Sequence, residues 1–189
     1  FNSLSQLLLK LASPGVPDLY QGCEMWDFSL VDPDNRRQVD YARRQAALQA
    51  IKATHAERGA AACASELLER LQDGEIKLYL VWKALAFRRE CEPLFRDGDY
   101  LPLKAHGDHA EQVCAFARQA GDEALVLVVP RLIAGLLGEH GELPVGDDEP
   151  QRDRLPDPDL LPRVHRRRDQ VEETGLVEGG TLQHHLVLH

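Results

Sequence analysis

The hydrophobic period of this chain changes at Asp97-Gly98, and no single type of secondary structure can absorb both patterns. Ahead of that point the spacing is helical. Leu4, Leu7, Leu8 and Leu11 share one face of a helix over residues 1–12, which Ser3 or Ser5 can cap and Ser13-Pro14-Gly15 stops. Further helices are predicted from Asn35 or Asp40 to about His55, over 60–72 ending at Asp73-Gly74, and over 75–92 before Pro93. Between the first two helices, Val16-Pro17-Asp18-Leu19-Tyr20 is a short, mostly apolar run closed by Gln21-Gly22, and it reads as a buried strand. Beyond Gly98 the residues alternate. Strands are expected over 100–105, 111–118 and 124–129, separated by Gly107-Asp108 and Ala120-Gly121-Asp122. A helix, a strand, more helices and then a run of strands make an α+β chain with a boundary near Asp97-Gly98.

Charge narrows the partners. Lys and Arg number 22 against 31 Asp and Glu, a net charge of −9, whereas neutralising nucleic-acid phosphate requires a basic face. No run approaches the roughly 18 apolar residues of a membrane span, and no basic-then-apolar leader opens the chain. A cytoplasmic protein without nucleic-acid or membrane partners is expected. Cys23, Cys63, Cys91 and Cys114 are widely spaced with no C-x-x-C pair, which fits free thiols better than disulfides or a zinc site. The first residue is Phe1 and Met25 is the only methionine, so a piece of something longer is expected. Residues 147–189 mix Pro, Arg and acidic residues and read as irregular; His184, His185 and His189 there read as solvated rather than metal-binding.

Chemistry-bearing residues concentrate in Tyr20-Gln21-Gly22-Cys23-Glu24, Trp26-Asp27 and Asp32-Pro33-Asp34-Asn35-Arg36-Arg37. Aromatic faces, carboxylates, an amide and guanidinium groups together suit a sugar, whose CH face stacks and whose hydroxyls take planar bidentate partners. Glu24 with Asp32 or Asp34 could be read as a glycosidase pair, but sequence spacing does not fix the roughly 5 Å such a pair needs. The plainer reading has Asp32 and Asp34 capping turns and pairing with Arg36 or Arg37. Glu24, Asp34, Asn35, Arg36 and Arg37 are therefore candidates for substrate contact, and none is assigned as catalytic. Elsewhere, Arg88-Arg89 reads as serving a helix end and the surface, Trp82 and Phe87 as core, and Asp108-His109 as a solvated turn.

The string Ser13-Pro14-Gly15-Val16-Pro17-Asp18-Leu19-Tyr20-Gln21-Gly22, with Glu24 after it, resembles the last barrel strand of the α-amylase superfamily. Its continuation from Glu24 to Arg37 is narrower and resembles the maltooligosyltrehalose synthases. Phe1 to Gln6, Asp73 to Lys77, Phe95 to Leu103, Ala115 to Arg118 and Val129 to Leu132 fit the same family, so the likeness spans about residues 1–146. Gln38 stands where the family usually has Pro, and residues beyond about Asp147 do not follow it, through divergence or a frameshift.

The resemblance implies a (β/α)₈ barrel followed by an antiparallel β domain. This chain would hold the last strand and flanking helices of the barrel over 1–98, the β domain over 99–146 and a divergent tail. It also implies that the nucleophile and acid lie upstream and that no cofactor is used. The expected activity turns the reducing-end α-1,4 bond of a maltooligosaccharide into an α,α-1,1 bond. The expected partners are a maltooligosaccharide or glycogen-derived glucan, the upstream barrel segment, and the trehalose-releasing hydrolase of the pathway. A different reading, without the family, is a non-catalytic α-glucan-binding module.

Overall fold

The computed structural model describes residues 1–29, 36–135 and 163–166. The chain is α+β and divides into two compact units, one of residues 1–15 and 88–189 and one of residues 16–87.

The first unit is built on an antiparallel sheet. Strands β1 (Asp99–His106), β2 (Val113–Ala120) and β3 (Glu123–Pro130) form a meander, and β4 (Arg163–Arg166) adds to the free side of β1 in the order β3-β2-β1-β4. The three long strands fall within one to two residues of the expected positions. β4 lies in the segment 147–189 read as irregular; the rest of that segment, with the three terminal histidines, lies outside the described residues.

Helix α1 (Asn2–Ala12) and the short helix α4 (Glu92–Arg96) pack on this sheet. Leu4, Leu7 and Leu11 of α1, Leu94 and Phe95 of α4, and Phe116, Leu125, Leu127 and Val129 of the strands are all buried. The helical period on one side and the two-residue period on the other bring these apolar stripes together, the physical content of the pattern change at Gly98. Neither Ser3 nor Ser5 caps α1: both lie inside the helix, and Phe1 occupies the cap position without a side-chain bond. At the other end Ser13 donates its hydroxyl to the Leu9 carbonyl at 2.7 Å.

Arg118 sits in this core with 1% of its surface exposed. Its guanidinium donates to the carbonyls of Phe95 at 2.9 Å and Gly98 at 2.8 Å, with a longer contact to Ala12 at 3.4 Å. Arg88, expected on the surface, instead donates to the carbonyls of Leu11 at 2.5 Å and Gly15 at 2.9 Å, and it stacks 4.7 Å from the Phe95 ring centroid. The two arginines thus satisfy carbonyls that the end of α1 leaves without helical partners.

The second unit is helical. Helix α2 (Tyr41–Glu69) is interrupted at Gly59, with φ 82° and ψ 173°, so the two expected helices are present on either side of a break. Helix α3 (Glu75–Glu90) begins in this unit and stops short of Pro93. Ala47, Ile51, Cys63 and Leu67 of α2, with Ile76, Leu78, Tyr79 and Val81 of α3, are buried. Phe87 and Trp82 are half-buried rather than core.

Residues 16–20 do not form the expected strand. Val16 is 96% exposed and Tyr20 50% exposed, so the run is not buried either. Pro17 has no N–H to give a ladder, and a strand needs a neighbour to satisfy the rest. No described strand pairs with this segment.

Candidate functional site

The site grows from a tight turn. Cys23 N–H donates to the Tyr20 carbonyl at 3.0 Å, and Gly22 at φ 90° carries the chain round toward Glu24. Glu24 then meets Arg44, in the first turn of α2, with Nε to Oε2 at 3.1 Å. The same guanidinium donates to the carbonyls of Gly22 at 2.7 Å and Asp40 at 3.1 Å. One planar fork therefore holds both ends of the turn and the helix start, a geometry a lysine could not reproduce. Asp40 fixes that start by accepting from Arg43 N–H at 2.9 Å. Tyr41 adds a link, donating its hydroxyl to the Gln21 amide oxygen at 3.3 Å.

A second anchor follows two residues on. Trp26 donates its indole N–H to the Leu71 carbonyl at 2.6 Å. Lys77 reaches the Met25 carbonyl at 3.3 Å and stands 5.7 Å from the Trp26 ring centroid. Gly74, at φ 80°, lets this happen: a Cβ there would lie 2.8 Å from Trp26 N and 3.0 Å from its ring. Trp26 thus fixes the loop, while Tyr20 and Phe28 are exposed, at 50% and 83%.

Just past Trp26, Asp27 accepts from Ser29 N–H at 3.0 Å and from the Cys23 thiol at 3.6 Å. The hydrogen bonds from Ser29 hold its carboxyl below the usual range. Partial burial, with Asp27 beside it, pushes the Cys23 thiol up, so it stays protonated near neutral pH.

Of the residues singled out from sequence, Glu24 is half-buried in the ion pair and Arg36 and Arg37 are exposed just ahead of α2. Asp34 and Asn35, with Asp32, lie outside the described residues. Glu24 is therefore joined to Arg44, which the sequence reading did not single out. One signal for it was present. Arg43 and Arg44 sit at a helix N-terminus, where the macrodipole disfavours cations, so a basic pair there calls for a nearby acceptor. Glu24 Oε1 forms no hydrogen bond among the described residues.

Among the described residues no cluster of His, Cys, Asp and Glu could hold a metal, and no helix is long and apolar enough to cross a membrane. The described cysteines are free thiols. Asp108 and His109 are exposed in the turn after β1.

No protein-family model matches the chain. It is 41% identical over 127 residues to proteins from two strains of Mycobacterium tuberculosis assigned as maltooligosyl trehalose synthase. The match covers 67% of this chain and 14% of each of those proteins. Among solved structures, maltooligosyltrehalose synthase from Arthrobacter ramosus is 38% identical, covering 70% of this chain and 15% of that one, with a TM-score of 0.46. Another maltooligosyl trehalose synthase structure is 35% identical, covering 61% of this chain and 14% of that one, with a TM-score of 0.48.

Proposed function

This chain is a relative of the maltooligosyltrehalose synthases across 67% of its length, and from that premise we propose that it is the C-terminal part of such an enzyme. The activity of the whole enzyme is that of a (1→4)-α-D-glucan 1-α-D-glucosylmutase. It converts the reducing-end α-1,4 bond of a maltooligosaccharide into an α,α-1,1 bond, in trehalose biosynthesis. The observation that carries the reading is the 41% identity over 127 residues.

In this reading residues 1–98 close the catalytic barrel, the sheet belongs to the β domain, and the nucleophile and acid are supplied by the upstream barrel segment. The reaction proceeds by double displacement, with a glycosyl-enzyme intermediate and the freed glucose turned in place. Transfer prevails over hydrolysis only while water is kept out, so a loop held in one position matters without being catalytic. The Tyr20 turn fits that role, because Arg44 holds its backbone and the Glu24 carboxylate together. Glu24 presents its second oxygen to a sugar hydroxyl, Tyr20 and Phe28 offer CH-stacking faces, and Arg36, Arg37, Asp34 and Asn35 complete the contact set.

The test compares the complete polypeptide that carries this chain with residues 1–189 alone, each incubated with maltohexaose. The complete polypeptide is expected to remove reducing ends, and residues 1–189 to leave the sugar unchanged. Tight binding of maltohexaose by residues 1–189, with no activity in any longer product, would replace this reading with the glucan-binding module.

A further inference from the structure

Helices α2 and α3 bring a second group of chemistry-bearing side chains together, separate from the Tyr20 turn. Lys52 and His55 lie one turn apart on α2, and Tyr79, Trp82 and Lys83 have the matching spacing on α3. The His55 ring stands edge-on to Trp82 with centroids 5.3 Å apart. The Tyr79 hydroxyl lies 3.4 Å from His55 Nδ1, and Lys83 Nζ lies 3.5 Å from Nε2. Both ammonium groups also sit against the one indole: Lys52 Nζ is 5.5 Å and Lys83 Nζ 5.4 Å from the Trp82 ring centroid. Tyr79 is buried and the other four are half-buried.

The donor inventory fixes the hydrogen-bond sense. An ammonium only donates, so His55 Nε2 accepts from Lys83 and the ring proton sits on Nδ1, facing Tyr79. The Tyr79 hydroxyl accepts that proton and keeps its own O–H to donate.

Among the described residues, what the group lacks is negative charge. The helical neighbours of Lys52 are Leu48, Gln49, His55 and Ala56, and those of Lys83 are Tyr79, Leu80, Ala86 and Phe87, so no acidic side chain lies three or four residues away. Among the described residues neither lysine forms an ion pair, whereas Arg44, Arg58, Arg70 and Arg96 each have a carboxylate partner. Cation–π attraction holds the ammoniums near the ring without neutralising them. Two like charges held at one indole repel each other, and a single dianion would relieve both.

We propose that Lys52, His55, Tyr79 and Lys83, arranged around Trp82, form a binding site for a phosphate group. Lys52 and Lys83 supply the charge as point cations, the form in which lysine binds phosphate. The Tyr79 hydroxyl supplies a directed donor, and Lys83 transfers its hydrogen bond from His55 to the anion. A carboxylate would neutralise one ammonium and leave the other, so a dianion is the better match. Free phosphate and the phosphate of a hexose monophosphate share this chemistry.

Isothermal titration of the full chain with sodium phosphate, at ionic strength held constant with sodium chloride, tests the site. Saturable binding is expected, weakened at least tenfold in the Lys52→Gln/Lys83→Gln double variant while its far-UV circular dichroism is unchanged. Both substitutions retain good helix formers, and Lys52→Gln alone should give an intermediate loss should the pair disturb folding. A parallel titration with a hexose monophosphate separates the two sources: tighter binding than phosphate assigns a sugar phosphate, and equal binding assigns the free ion. Absence of saturable binding of either probe, or equal affinity in wild type and double variant, would overturn the proposal.

Discussion

Arg44 and Glu24, twenty residues apart in sequence, meet at 3.1 Å, and the arginine simultaneously grips the Gly22 carbonyl at 2.7 Å. The side chains are 18% and 26% exposed, so the pair is partly shielded from water and its backbone contact is as much part of it as the charge. The turn that carries Glu24 is consequently set by the first turn of α2.

A double-mutant cycle measures that coupling. Glu24→Gln should cost about 1 kcal/mol, because the neutral amide still fills the space and only the charge assistance is lost. Arg44→Gln should cost more, about 1–3 kcal/mol, since it also strips the donor from the Gly22 carbonyl. Urea unfolding of both singles and the double should show non-additivity; strictly additive values would mean the two side chains do not act as a unit.

Gly74→Ala should be destabilising by about 1–3 kcal/mol, from a left-handed φ combined with a Cβ pressed against Trp26. The Trp26 anchor should loosen with it, visible as a changed indole N–H resonance. An unchanged midpoint of thermal unfolding would show that this approach is not a constraint.

Arg118→Met replaces a buried guanidinium by an apolar chain of similar length. It leaves the carbonyls of Phe95 and Gly98 without their donor, and a loss of about 2–4 kcal/mol is expected. A buried cation is itself costly, and its removal opposes that loss. Denaturant unfolding showing a more stable variant would mean that desolvation, not the carbonyl bonds, dominates at this position.

Cys63 should be the last of the four thiols to react. It is 1% exposed, and burial, with Glu66 adding to it, pushes its thiol up. Peptide mapping after brief iodoacetamide treatment should find it unmodified until the chain unfolds. The sign follows: the unfolded thiol ionises first, so this group's contribution to stability is complete below about pH 8.5 and is lost as pH rises further. Early modification of Cys63 at neutral pH would contradict its placement between the two halves of α2.

Much of the architecture was legible because periodicity is local. The pattern change at Gly98 placed all three long strands, and Leu4, Leu7 and Leu11 placed the buried face of α1. The run at residues 16–20 failed because its composition is that of a strand while pairing is supplied from elsewhere in a sheet, which sequence does not display. In the site, Glu24 was visible as a carboxylate beside a turn, but Arg44 was not, because its role depends on a contact across twenty residues. The helix position of Arg88 points to the surface, whereas its partners are the carbonyls of Leu11 and Gly15, more than seventy residues away.

The glucosylmutase assignment rests on chemistry at the reducing end, which anomeric proton NMR of maltohexaose incubated with the complete polypeptide reads out. The reducing-end α and β signals should disappear together, replaced by the anomeric signals of an α,α-1,1 linkage, with little free glucose. Glu24→Gln should slow this turnover while the protein remains folded. Growth of reducing-end signals, the mark of hydrolysis, or a spectrum unchanged by the complete polypeptide, would overturn the glucosylmutase assignment.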